Sequence, residues 1–174
     1  MNNYNNKNSK QEIDKISEKI IEWLKEEGMY KETIKNKDTD EKFYFAIVAR
    51  NPNAPNGSFF VAQPKIRNDL IVATLTLELI GGLFEKLKKM PPQAKTDFWA
   101  SFKLGIVFAT PTFFIRPNED APKSIEFRRE IYHDGLSKDK LMEAIRDLYR
   151  CLLYSNLKFI QLGGQSNDET LMFG

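Results

Sequence analysis

The chain has 174 residues, with 26 Lys and Arg against 24 Asp and Glu, a formal charge of +2. That length suits one domain that buries roughly 70% of its extended surface, too short for a barrel-sized enzyme. The near balance of charge argues against an obligate nucleic-acid coat protein, though not against a local basic patch. Hydrophobic residues make up 41% and charged residues 29%, and 13 are phenylalanine, a globular composition with an aromatic-rich core. Cys151 is the only cysteine and His133 the only histidine, so intramolecular disulfides and multi-thiolate or multi-histidine zinc sites are excluded. No cofactor motif is present, and no cofactor or metal is expected.

The first six residues, Met1-Asn2-Asn3-Tyr4-Asn5-Asn6, are polar and lack an apolar run of signal-peptide type. The longest nearly uncharged apolar run, Leu104 to Ile115, is far shorter than a membrane span needs. The expected address is the cytoplasm, with no membrane partner. Residues 1–8 read as a disordered lead, residues 9–162 as a single α+β domain, and residues 163–174 as a loose tail. Ser9 and Glu12 have the spacing of a capping box, and Ile13, Ile16, Ile20 and Leu24 recur at helical spacing up to the stop at Gly28.

The charged stretch Lys35 to Lys42 reads as loop or solvated hairpin. Three strands follow at Phe43 to Ala49, Ser58 to Gln63 and Asp69 to Thr74, joined by short Pro- and Gly-rich connections that favour an antiparallel meander. These strands are apolar on both sides, so either helices and loops cover both faces or a partner covers one. A helical region then begins near Glu78, with Leu77, Ile80, Phe84 and Leu87 on one face and Gly81-Gly82 inside it. Pro91-Pro92 breaks it, and a second helix runs from about Pro92 to Phe108, although Leu104 to Thr110 also has the composition of a buried strand.

The clearest hairpin pairs Thr112 to Arg116 with Lys123 to His133. Ile125, Phe127 and Ile131 share one face, interrupted by Arg129, and Glu126, Arg128, Glu130 and Tyr132 share the other. Asp134-Gly135 turns the chain into a last helix capped by Ser137, whose apolar row is Leu141, Ile145, Leu148 and Leu152; Phe159 and Ile160 read as a short docked segment.

This order of elements resembles the type III secretion chaperone-like fold. The runs Phe113-Phe114-Ile115-Arg116, Ile125-Glu126-Phe127 and Ile131-Tyr132-His133-Asp134-Gly135-Leu136-Ser137-Lys138-Asp139 look like an uncharacterised archaeal and bacterial family with that fold. The resemblance spans about residues 10 to 160. It implies a curved antiparallel sheet packed against helices, places Leu104 to Ala109 in helix, and makes Thr112 the start of the fourth strand. It also implies homodimers that bind extended segments of partner proteins, but assigns no activity to particular residues.

The resulting expectation is a five-stranded, mostly antiparallel α+β sheet in the order α-β-β-β-α(kinked)-β-β-α. Its role is read as non-catalytic protein interaction through a homodimer, with a further unidentified protein partner. The candidate interface is Leu79, Leu83, Phe98, Trp99, Phe102 and Ile106, because the double helical segment carries more apolar residues than one stripe requires. The less favoured alternatives are a nucleic-acid surface using Lys86, Lys88, Lys89, Arg128 and Arg129, and an anionic-ligand or enzymatic site near Arg116 and His133. For each there is a plainer structural explanation: lysines on a solvated helix face, arginines paired across strands with Glu126, Glu130 or Glu119, and Cys151 packed in a helix. No catalytic residue is assigned.

Overall fold

The alternation of β-branched and aromatic residues with short turns builds six strands, one more than the sequence suggested, in the sheet order β1-β2-β3-β4-β6-β5. The computed structural model describes residues 3–52, 54–79 and 81–163. The chain order is α1 (Asn3–Glu26), β1 (Tyr30–Thr33), α2 (Lys37–Lys42), β2 (Phe43–Asn51), β3 (Ala54–Pro64), β4 (Leu70–Glu78), α3 (Gly81–Lys89), α4 (Pro92–Ile106), β5 (Thr112–Arg116), β6 (Ser124–Tyr132) and α5 (Lys138–Gly163). A 3-10 turn, His133–Gly135, separates β6 from α5. The architecture is α+β, a mostly antiparallel sheet packed against helices.

Two compact units divide the chain: Met1–Val72 with Glu130–Leu141, and Ala73–Arg129 with Met142–Gly174. In the first, α1 begins at Asn3 rather than at a Ser9 cap. It ends as expected at Gly28, whose φ of 66° suits glycine. The Met29 N–H donates to the Leu24 carbonyl at 2.7 Å and the Gly28 N–H to the Lys25 carbonyl at 3.0 Å, a Schellman closure. Tyr30–Thr33, missed for its shortness and polarity, then pairs antiparallel with β2. Lys37–Lys42, expected as loop, is one short helix whose N-cap, Asn36, accepts from the Thr39 N–H at 2.8 Å.

Register explains the two-sided apolarity of β2 and β3. Ile47 pairs with Val61 and Ala49 with Phe59, while Ala46 opposes Ala62 on the other face. All six are buried, as are Ile20 and Leu24 of α1, which packs on β1 and β2. Burial of each large aliphatic side chain contributes about 1.5–3 kcal/mol. Ala46, Ala62, Leu70 and Val72 form a separate cluster, against which Ile34, Phe43 and Phe60 pack. The second face of these strands is therefore filled by the chain's own side chains.

In the second unit the strand Ala73–Glu78 takes Leu77 and Glu78, which the sequence reading placed in a helix; α3 begins only at Gly81. Gly81, with φ 60°, thus opens that helix instead of weakening its interior. The helix α4 stops at Ile106, so Phe108 and Ala109 lie beyond it. Its buried residues are Trp99, Phe102 and Ile106. Phe102 is surrounded by the rings of Phe98, Trp99, Phe113, Tyr154 and Phe159, with centroids 5.4–6.3 Å away. Phe159 and Ile160 belong to α5 itself, which runs unbroken to Gly163. The Ser137 cap holds: its hydroxyl oxygen accepts from the Lys140 N–H at 3.2 Å. The expected tail lies, from residue 164 on, outside the described residues.

Candidate functional site

Strand periodicity sends Arg128 and Arg129 to opposite faces of β6, and the two side chains meet different partners. Arg129 points to the core side, where its Nε stands 3.7 Å from the Asp147 carboxylate of α5; both side chains are mostly buried. Arg128 lies on the other face, where its Nη2 donates to the Glu126 carboxylate at 2.7 Å. The register sets Phe114 opposite Glu126, Thr112 opposite Arg128 and Arg116 opposite Ser124. Phe114 and Arg116 thereby share the face of Glu126 and Arg128.

On that face two guanidinium groups converge. Arg116 and Arg128 each stand 5.1 Å from the centre of the Phe114 ring, a cation–π distance. Both address one carboxylate, Arg116 from 4.0 Å and Arg128 from 2.7 Å. The Nε of Arg128 is buried and has no hydrogen-bond partner. The pairing of these strand arginines with Glu126 was legible from the sequence. Phe114 was missed, although the two-residue spacing to Arg116 marks it.

His133 falls in the first unit and Arg116 in the second. The His133 N–H donates to the Asp69 carbonyl at 2.9 Å, a strand-end role, and its Nε2 is buried without a hydrogen bond. Beside it Arg67 grips Asp69 through two hydrogen bonds of 2.9 and 3.1 Å and lies 5.7 Å from the Tyr132 ring centre. The Arg67 hydrogen bond holds the Asp69 carboxyl below the usual carboxylate range. Among the described residues, no group of three or more His, Cys, Asp or Glu is placed to hold a metal, and no helix is long and apolar enough to cross a membrane.

Cys151 is buried in the apolar row of α5. Burial first, and then the charge of Asp147, pushes its thiol up to about 11, so the nucleophilic thiolate is scarce near neutral pH. A thiol reagent at neutral pH is expected to label Cys151 at least ~100-fold more slowly in the native protein than in denaturant. Rapid native labelling would show an accessible thiolate instead.

The lysines of α3 have local explanations. Lys86, Lys88 and Lys89 occupy its last turn, where a positive charge complements the helix dipole. Lys89 pairs with Glu85 at 3.8 Å, and Lys88 lies over the Phe84 ring. Arg128 and Arg129 have carboxylate neighbours of their own, Glu126 and Asp147.

The apolar interface candidates divide by burial. Leu79, Trp99, Phe102 and Ile106 are buried within the chain, and Leu83 and Phe98 are half-buried. The four buried residues are used internally and do not line a free surface, while Leu83 and Phe98 keep part of their surface accessible. The exposed apolar residues of the second unit are others: Leu104, Val107 and Phe108 at the end of α4, and Leu153, Leu157 and Ile160 on α5. The two helices meet where the Tyr154 hydroxyl donates to the Ser101 carbonyl at 3.2 Å and the Lys158 Nζ to the Ser101 hydroxyl at 3.0 Å. Gly105 permits this approach, because a Cβ there would run into the Tyr154 hydroxyl. Helical spacing puts Leu104 one step round from Ser101 and Gly105, away from Phe102 and Ile106, and Phe108 follows just beyond the helix end. Leu153 and Leu157 lie one step round from Tyr154 and Lys158, away from Ser155 and Phe159. The two exposed stripes therefore flank one seam. The spacing of 153, 157 and 160 was visible in the sequence, but only the buried row opposite reveals that it faces outward.

No curated protein matches the chain. Among solved structures, an uncharacterized protein from Methanothermobacter thermautotrophicus is similar with a TM-score of 0.74 and 22% identity, over 84% of this chain and 98% of that one. YbjN, a putative transcription regulator from E. coli, matches with a TM-score of 0.45 and 11% identity, over 84% and 90%. The first likeness is one of fold. A family model described as an uncharacterized conserved protein (DUF2299) matches residues 16–159. With most of its length inside that match, the chain belongs to this uncharacterized conserved family.

Proposed function

We propose that the protein is a non-catalytic, chaperone-like interaction module that forms a homodimer, with a type III secretion chaperone-like topology as the finer description of its α+β fold. The observation that carries this reading is the exposed apolar seam of α4 and α5. Phe108 is 92% exposed and Leu104 68%, beside Leu153, Leu157 and Ile160. Exposed large apolar residues gathered on neighbouring helices are commonly a partner site. A twofold arrangement sets such a seam against itself, apolar on apolar, and a net charge of only +2 offers little self-repulsion. The chemistry of Cys151 favours the same reading, since burial holds its thiol protonated near neutral pH.

Sedimentation or light scattering from about 1 to 100 μM tests it. The wild-type protein is expected at twice the monomer mass. Leu157→Asp and Leu104→Asp each place a charge at the seam centre and are expected to weaken association at least ~10-fold with the fold intact. A monomer mass throughout that range overturns the dimer.

A further inference from the structure

We infer that the Arg116–Phe114–Arg128 face of the terminal strand β5 is a carboxylate-binding site, occupied by an acidic side chain of an extended peptide lying along that strand. The inference is independent of self-association through α4 and α5.

Charge counting selects the ligand. Arg116 and Arg128 both lie within 4.0 Å of one carboxylate, Glu126, so these three groups together carry one positive charge in excess. One further monoanion neutralises it, whereas a phosphate dianion would leave net negative charge beside Glu126. Hydrogen bonding points the same way. Among the described residues, the Arg116 guanidinium reaches only the Phe114 ring and, at 4.0 Å, the Glu126 carboxylate, which is beyond hydrogen-bond length. Its planar fork of donors matches a second carboxylate side-on. The Arg116 side chain is 56% exposed, so a ligand reaches it directly.

The strand supplies the rest of the surface. β5 ends the sheet order, with β6 as its neighbour there. No residue of β5 is buried, while Ile125 and Phe127 opposite it are. A terminal strand presents backbone N–H and C=O groups that an added strand can pair with. A residue of that added strand placed opposite Phe114 mirrors Glu126 across the ring. An acid at that position receives the Arg116 guanidinium from the side that Glu126 leaves open.

The test uses the full chain and a fluorescent ten-residue peptide of alternating β-branched residues with one central glutamate, compared with its glutamine counterpart. The glutamate peptide is expected to bind at least ~10-fold more tightly. Arg116→Gln and Arg128→Gln are expected to erase that preference, and Lys88→Gln to leave it unchanged. Glu126→Gln frees both guanidinium groups and is expected to raise affinity for the glutamate peptide at least ~3-fold, a gain that a damaged fold does not produce. Equal binding of the two peptides overturns the proposal, as does a preference that survives Arg116→Gln. Saturation by free glutarate without any peptide preference overturns the strand-borne source. Displacement of the peptide by oligothymidylate through the same arginines assigns the face to phosphodiester instead, and a change of oligomeric mass in Arg116→Gln assigns it to self-association.

Discussion

Phe102→Ala is expected to destabilise the second unit by about 3–5 kcal/mol. Phe102 is fully buried and its ring adjoins five others, so removal forfeits its own transfer energy and leaves a cavity. Edge and tilted ring pairs, each worth about 0.5–1.5 kcal/mol beyond their area, are lost with it. The neighbours are held by other restraints and do not collapse freely. The Trp99 Nε1–H donates to the Glu119 carbonyl at 3.1 Å, and Tyr154 is anchored on Ser101. Denaturant titration followed by tryptophan fluorescence measures the effect. Trp23 lies in the first unit and Trp99 in the second, so a Trp23→Phe background reports the second alone. A loss below about 1 kcal/mol would show that the aromatic cluster repacks around the gap.

Asp147→Asn is expected to cost about 2–3 kcal/mol, because it strips Arg129 of the carboxylate paired with it. The Arg129 and Asp147 side chains retain only 19% and 12% of their exposure. A guanidinium so placed, with its Nε buried and unbonded, carries a desolvation penalty that only its counter-charge offsets. The residual exposure moderates the 3–5 kcal/mol expected of a fully buried pair. Arg150, at 3.2 Å from the same carboxylate but largely exposed, loses little. Replacing both partners, as in Arg129→Met with Asp147→Leu, should recover most of the loss, since no unpaired charge remains. Equal losses in the single and double variants would mean that packing, rather than charge, fixes this contact.

Long-period patterns were the most legible part of the sequence. The α4 stripe, the hairpin of β5 and β6 and the Ser137 cap follow from regular spacing and short-range hydrogen bonding, and each stands near its expected position. β1 was hidden because Tyr-Lys-Glu-Thr has neither an apolar face nor a turn signal; its pairing with β2 is what makes it a strand. Leu77 and Glu78 fit the end of β4 as well as the beginning of a helix, and the positive φ of Gly81 marks where the helix takes over. The interface residues failed for a different reason. A one-dimensional excess of apolar residues does not say how many neighbours converge on them. Phe102 finds its neighbours in Phe113 and Phe159, which lie at least ten positions away along the chain. The arginine cluster was half legible: alternation separates Arg128 from Arg129, but the register that places Phe114 between two guanidinium groups depends on the length of the hairpin loop.

The seat of Tyr154 over Gly105 links two sites 49 positions apart into one unit of sequence change. A side chain at 105 and a tyrosine at 154 exclude each other in this backbone, whereas either small residue alone leaves room. A Cβ at position 105 of this chain therefore requires the Tyr154 ring to shift. The order of substitution is directional: loss of the phenol opens a gap that the helices can tolerate, while gain of a Cβ first forces the ring out of its seat.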